Sequence, residues 1–431
     1  MPKNKLYYRL LSELDAPWLP IADNFDEGWE VIGVVDDVAY IKTQKEAPYG
    51  KVMSVKLTNN SAVDWQTVIT DRGEMLEYVM IANNQLLCVT LHHATHRLMA
   101  HELDGTFVRE IKLPAVGSLT GYFAKQRDKE MFIQFASVLY PNTVLKYSFA
   151  TDKFETIFTP KTDFPFDEYE TVQKFYTSKD GTQIPIFITC HKGLVKDESH
   201  PTLLYGYGGF THSMTPSFSA AILAWLEKGG VYAVSCLRGG NEYGEAWHRA
   251  GILERKQNVF DDFNAAAEYL ISEKYTCNKK LGIYGRSNGG LLTGACLTQR
   301  PDLYGAVVVG VPVLDMLRYH LFTAGRYWVG EYGCADNPKH FKFLYEYSPL
   351  HNVKMNTVYP PTLILTADTD DRVVPMHARK FAATLQAADG GVNPICIRIE
   401  ESAGHGAGKP LSKVIDEWTD LFTFLFANLR D

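Results

Sequence analysis

Apolar and polar positions alternate along residues 1 to about 160, and then the rhythm changes. A period of two predicts short strands, here separated by Asp, Asn and Gly turns. The strands come in fours. The first series is Trp29–Val35, Val38–Thr43, Lys51–Leu57 and Trp65–Ile69. The second is Tyr78–Ile81, Leu86–Thr90, Leu98–Leu103 and Val108–Leu113. The third is Leu119–Ala124, Met131–Ala136, Val144–Phe149 and Phe154–Phe158, and a partial unit, Leu6–Leu11 with Trp18–Ala22, precedes them all. Four-strand series recurring about every 40–50 residues are the pattern of propeller blades. A β-sandwich of similar strand count is the alternative. About three and a half blades fall short of the four to eight of a closed ring, so the expectation is an open arc, or an arc that a partner completes.

From about residue 170 apolar strands alternate with helical stretches. Strands are predicted at Thr171–Phe175, Ile184–Thr189, Thr202–Tyr207, Val231–Ser235, Leu281–Tyr284, Ala306–Val309, Thr362–Thr366 and Ile395–Ile399. Helices are predicted near Phe218–Lys228, Phe260–Glu273, Gly290–Gln299, Met376–Ala388 and Leu411–Leu429. This order implies an α/β fold with a mainly parallel sheet covered on both faces. Phe158–Asp167, with Pro160 and Pro165, marks the change. The expected domains are therefore 1–160 and 161–431.

At 431 residues, two cores are expected rather than one. The net charge of −7, with scattered basic residues, argues against nucleic acid or an anionic membrane as partner. No apolar run is long enough to span a bilayer, and no long apolar stretch follows Met1–Leu11, so a secretory signal is not expected. The seven cysteines are widely spaced and form no CxxC pair. That points to free thiols in a reducing cytoplasm and leaves a zinc site without supporting spacing.

Candidate chemistry begins at Gly285-Arg286-Ser287-Asn288-Gly289. This Gly-x-Ser-x-Gly pentad sits between a predicted strand and a predicted helix, the context of a nucleophile elbow. On such a fold the chain order is Ser, acid, His. The strand Thr362–Thr366 runs into Asp368, Asp370 and Asp371, which compete for the acid role at the ligand-binding edge of the sheet. One strand later comes His405, boxed by Gly404 and Gly406. His405 would accept the Ser287 proton, and the aspartate would hold the imidazole tautomer. The N–H of Asn288, the residue after the nucleophile, supplies half of an oxyanion hole, and the loop Tyr205–Phe210 is placed to supply the rest. Acyl transfer by Ser, His and Asp implies no metal or organic cofactor.

Several motifs together resemble the prolyl oligopeptidase family from about residue 170 to the C-terminus. They are Tyr205–Phe210, Leu237-Arg238-Gly239-Gly240, Glu242-Tyr243-Gly244, Lys256-Gln257-Asn258, Ser287-Asn288-Gly289-Gly290, Asp370-Asp371-Arg372-Val373-Val374-Pro375 and Gly404-His405-Gly406-Ala407-Gly408. The β-half looks like the last blades of that family's propeller. The resemblance implies an α/β-hydrolase domain preceded by a partial propeller, and a serine endopeptidase acting after proline in oligopeptides. It selects Asp370 as the acid, Tyr207 as the phenolic oxyanion donor and Arg372 as the ligand of a substrate carbonyl. The implied proline pocket is Phe210, Val313, Trp328, Tyr332 and Val373. Arg286 departs from the glycine common there, with a modest effect expected. The shorter propeller would leave the lid over the site incomplete and an open edge available for self-association. Two other readings fit part of these features. One is a different α/β-hydrolase, such as an esterase, an acylaminoacyl peptidase or a basic-residue oligopeptidase, for which Glu331 is the candidate acid. The other is a truncated inactive fragment serving as an interaction module.

Overall fold

The structure, a computed structural model, describes residues 3–12, 15–58, 61–406 and 408–429. Ala407, in the glycine-rich motif around His405, lies outside the described residues. Two compact units are present. One comprises Met1–Asp163 with Thr215–Phe218 and Glu242–Ala246; the other comprises Phe164–Met214, Ser219–Asn241 and Trp247–Asp431.

The first unit is all antiparallel sheet. β1 (Leu6–Tyr8) pairs with β2 (Leu19–Ala22). Three four-stranded meanders follow: β3 (Trp29–Val35), β4 (Val38–Thr43), β5 (Lys51–Leu57) and β6 (Ala62–Ile69); β7 (Met75–Ala82), β8 (Gln85–His92), β9 (Thr95–Glu102) and β10 (Phe107–Ile111); β11 (Ser118–Phe123), β12 (Glu130–Ser137), β13 (Tyr140–Ser148) and β14 (Lys153–Phe158). The strands are therefore grouped in fours, as their spacing predicts. Alternation sets the faces: along β12, Met131, Ile133 and Phe135 are buried while Phe132 and Gln134 are exposed. Buried side chains from successive sheets share cores. Val35, Tyr40 and Val52 pack with Leu76, Val79 and Leu86. Leu87, Val89 and Leu98 pack with Met131, Ile133 and Leu145. Between β7 and β8 the chain turns on Asn83 and Asn84, with φ of 51° and 55°, the left-handed pair of a two-residue hairpin that asparagine tolerates. The next hairpin turns on His93 and Ala94, φ 49° and 64°, where residue type carries no such signal.

The second unit is built on an eight-stranded sheet of β15 (Tyr169–Thr177), β16 (Gln183–His191), β17 (Thr202–Tyr205), β18 (Val231–Ser235), β19 (Leu281–Arg286), β20 (Ala306–Gly310), β21 (Thr362–Ala367) and β22 (Ile395–Glu400), in the order 15-16-18-17-19-20-21-22. β15 and β16 are antiparallel, and the other six run parallel. β20 and β21 are buried along their whole length, as strands covered on both faces must be. The helices are α1 (Ala220–Glu227), α2 (Glu245–Arg249), α3 (Gln257–Ser272), α4 (Asn288–Gln299), α5 (Val329–Tyr332), α6 (Pro338–Tyr347), α7 (Met376–Ala388) and α8 (Leu411–Leu429). α8 buries Glu417, Leu421, Leu425 and Leu429, one stripe at helical spacing. Periodicity missed α2, α5 and α6. The first two run only five and four residues. In α6 only Leu344 and Tyr347 are buried, although its Asn337 cap and Pro338 start are readable signals. Among the described residues no helix is long and apolar enough to cross a membrane.

Candidate active site

β19 ends at Arg286, α4 begins at Asn288, and Ser287 between them has φ 59° and ψ −115°. That backbone state is strained for any residue with a Cβ, and such strain gathers where function needs an exposed side chain. The Ser287 N–H donates to the Gly310 carbonyl (2.9 Å), and its own carbonyl accepts from the N–H of Gly290 (2.9 Å) and Leu291 (3.1 Å). The flanking glycines are steric requirements. A Cβ at Gly285 would lie 2.2 Å from the Gly289 carbonyl oxygen, and one at Gly289 would lie 2.7 Å from that of Gly206. Arg286 turns its guanidinium to Glu417 on α8, a carboxylate that Lys409 also binds.

The three competing aspartates are placed very differently. Asp370 is buried, and its Oδ2 lies 2.7 Å from His405 Nδ1. Its Oδ1 accepts from the N–H groups of Arg372 (3.0 Å) and Val373 (2.8 Å). Asp368 is exposed and bonds the Ala403 N–H at 3.3 Å. Backbone N–H donors, Ser402 first, hold its carboxyl below the usual range. Asp371 is exposed. His405 keeps about a fifth of its side chain open to solvent, and Thr369 Oγ1 ties its loop by donating to the Ala403 carbonyl (2.8 Å).

Tyr207 follows β17. Burial raises its phenol above the ordinary tyrosine range, opposed by the Arg372 guanidinium and by the Ser287 hydroxyl beside it. The phenol therefore remains a protonated donor near neutral pH. The Asn288 side chain does more than the sequence suggested. Its Nδ2 donates to the Tyr207 carbonyl (2.6 Å) and its Oδ1 accepts from the Tyr332 hydroxyl (2.8 Å). A cavity of about 200 Å³ lies beside Ser287, lined by Tyr207, Phe210, Val313, Tyr327, Trp328, Tyr332 and Arg372. Trp328 lies parallel to Tyr319, with ring centroids 6.4 Å apart, and Phe210 meets Tyr332 edge to face at 5.5 Å. Val373 is not part of that lining. It is 2% exposed in the main core, and its N–H is engaged by Asp370. Tyr327 was not anticipated; its one sequence signal is its place beside Trp328.

Behind this cavity sits a buried charged group that the sequence concealed. Glu331 is 6% exposed, not a surface acid. Its Oε1 accepts the Phe210 N–H (2.8 Å), and its Oε2 lies 2.9 Å from His248 Nε2. Lys256, 1% exposed, donates from Nζ to the Gly208 carbonyl at 2.8 Å and lies 3.9 Å from Glu331 Oε1. Together they clamp both ends of Gly208–Phe210. Arg238, from another motif, is equally buried but is committed to Asp262, which it grips through Nε and Nη2. Burial pushes the Lys256 ammonium down to about 8, partly offset by Glu331. Between about pH 8 and the ordinary lysine pKa the unfolded chain then binds the extra proton, so this lysine penalises folding at neutral pH and the penalty fades as pH rises. Relative to Lys256→Met, the parent should gain roughly 3 kcal/mol across that window. Paired thermal melts from pH 7.5 to 10 would detect the gain, and parallel curves would refute it.

Comparison with known proteins gives one match in each half of the chain. Residues 216–431 match the prolyl oligopeptidase family, and residues 1–159 match the N-terminal β-propeller domain of prolyl oligopeptidase. Prolyl endopeptidase of Elizabethkingia meningoseptica is 43% identical over 422 residues, covering 98% of this chain and 60% of that protein. A structure from a study of two prolyl endopeptidases superposes with a TM-score of 0.92 at 44% identity, covering 99% of this chain and 63% of the other. Prolyl oligopeptidase B from Galerina marginata, bound to a 35mer hydrolysis and macrocyclization substrate, superposes with a TM-score of 0.93 at 34% identity, covering 99% and 62%. The chain thus spans about 60% of the length of the curated relatives it matches. On these matches, on its propeller-type meanders and on its serine elbow within an α/β-hydrolase sheet, the chain belongs to the prolyl oligopeptidase family.

Proposed function

We propose that the chain is a serine peptidase that hydrolyses peptide bonds on the C-terminal side of proline in oligopeptides. Ser287 Oγ attacks the carbonyl of the proline residue as His405 removes its proton. Asp370 holds the His405 tautomer and stabilises the imidazolium. The Tyr207 hydroxyl and the Asn288 N–H stabilise the tetrahedral oxyanion. His405 then protonates the leaving amine, and water releases the proline acyl group from Ser287 by the reverse sequence. Arg372 holds the carbonyl one residue upstream of the proline. Phe210, Val313, Trp328 and Tyr332 receive the pyrrolidine ring, with Val373 supporting the loop that carries Arg372. The flat indole of Trp328 suits a flat apolar ring.

One observation carries the choice of proline. The cavity beside Ser287 is walled mainly by aromatic side chains, and among the described residues Arg372 is the one charged member of its lining. A basic P1 side chain would need a carboxylate there. The candidate, Glu331, is instead turned to Phe210 and His248. N-blocked Gly-Pro, Gly-Arg and acetyl-Ala reporters test this. The proline reporter should lead in kcat/KM by about 100-fold or more, and an arginine preference would overturn the assignment. The peptide-bound Galerina marginata relative supports a peptide substrate. A reducing cytoplasmic setting accords with seven free cysteines. Self-association through an exposed propeller edge is the partner reading, which a single monomeric species in light scattering would remove.

A further inference from the structure

Three ligand types converge where the chain leaves α5. His320 lies in the 3-10 turn Tyr319–Leu321, and Cys334 and Asp336 follow Tyr332. One imidazole nitrogen, the thiol sulfur and a carboxylate oxygen all lie within 4.8 Å of one another. His320 is the unusual member. Its side chain is 8% exposed, yet neither Nδ1 nor Nε2 has a hydrogen-bond partner. The Asp336 carboxylate approaches Nε2 to 3.4 Å without completing a bond. A neutral imidazole normally donates from one nitrogen and accepts at the other. A buried ring with both positions empty calls for an occupant. The neighbouring Tyr319 ring, edge-on at 5.6 Å, supplies none. Cys334 is half-buried, and its N–H is held by His340 Nδ1 at 3.2 Å. Asp336 is 81% exposed, so the cluster opens to water on one side.

We propose that His320, Cys334 and Asp336 form a binding site for one zinc ion, with water as the fourth ligand. A nitrogen, a thiolate and a carboxylate oxygen are the donors that zinc accepts in tetrahedral geometry. Calcium and magnesium prefer oxygen alone. Asp336 is exposed and Cys334 half-buried, so both have room to adjust toward the buried His320. Binding converts the Cys334 thiol to a zinc thiolate and releases one proton to solvent. The ion would staple the Tyr319 turn to the segment after α5. Tyr319 already donates its hydroxyl to the Gly333 carbonyl, stacks on Trp328 and meets Tyr332 edge to face at 5.3 Å. Zinc would therefore brace the wall of the aromatic cavity.

The test is binding to the full chain, without any activity assay. Zinc is titrated by competition with a chromogenic indicator, and cobalt is used as a spectroscopic probe. One equivalent of zinc should bind, and bound cobalt should show a thiolate-to-metal charge-transfer band. Cys334→Ser should abolish that band, and Cys334→Ser, His320→Gln and Asp336→Asn should each weaken zinc roughly tenfold or more. Asp336→Asn changes an exposed side chain, and an unchanged melting temperature of the metal-free variant separates its effect from a folding defect. Cys277→Ser and Cys396→Ser should change nothing. Zinc held at His405 and Asp370 would give no thiolate band and would be indifferent to Cys334→Ser. That result, or no stoichiometric uptake, overturns the proposal.

Discussion

Ser287→Ala should lower kcat on an N-blocked Gly-Pro reporter by roughly 10⁴- to 10⁶-fold while leaving the melting temperature almost unchanged. The chemistry needs a nucleophile that alanine lacks. The fold does not need it, because the elbow is held by Ser287 backbone bonds to Gly310, Gly290 and Leu291, and the hydroxyl meets the Tyr207 phenol within the site. Alanine also meets the same strain at φ 59°, so the elbow is neither relieved nor worsened. Ser287→Gly separates the two contributions. It should be equally inactive but more stable by about 1–3 kcal/mol, the usual cost of one such backbone state. Stopped-assay rates and paired melts on the three proteins suffice. A parent-like rate in Ser287→Ala would remove Ser287 as nucleophile. A folded parent that releases nothing would sink the peptidase reading for this chain.

Asp370→Asn should reduce kcat by about 10⁴-fold, whereas Asp368→Asn and Asp371→Asn should stay within a few-fold of the parent. In the parent, Asp370 Oδ1 takes two backbone N–H groups and Oδ2 faces His405 Nδ1. An asparagine keeps its oxygen on those N–H groups and so presents its amide donor to His405. That forces the proton onto Nε2, the nitrogen that must accept from Ser287. Geometry is retained and the tautomer is wrong. Loss of activity in Asp368→Asn instead would move the acid to that position. Asp368→Asn should at most loosen the loop it bonds at Ala403.

What was legible beforehand was local. The two rhythms of hydrophobicity located the strands of both units, because alternation and helical spacing are imposed by the backbone within a few residues. Strand ends moved by up to four residues, as at Val144, which lies inside a strand beginning at Tyr140. The order Ser287, acid, His405 was also readable, since each follows an apolar strand and strand ends collect at one edge of a parallel sheet. Among Asp368, Asp370 and Asp371, sequence pattern left the choice open, and only the family resemblance favoured Asp370.

The rest depended on contacts between residues far apart in the chain. Asp370 is singled out by the turn that aims it at a loop thirty-five residues later. The Asn288 amide clamps Tyr207 and Tyr332 because α4 starts against the loop after β17. Lys256 and Glu331 look like surface charges in the sequence, and packing buries both behind Gly208–Phe210, with half-buried His248 against Glu331. His320, Cys334 and Asp336 have no metal-site spacing, yet the fold around Tyr319 brings them within 4.8 Å. The sequence by itself determined the two sheet types, the elbow and the chain order of the candidate groups, because periodicity, glycine sterics and chain order are local properties. The tertiary structure decided which acid meets the histidine, which charges are buried and what shape the pocket takes, because those depend on desolvation and distance between segments that share no sequence pattern.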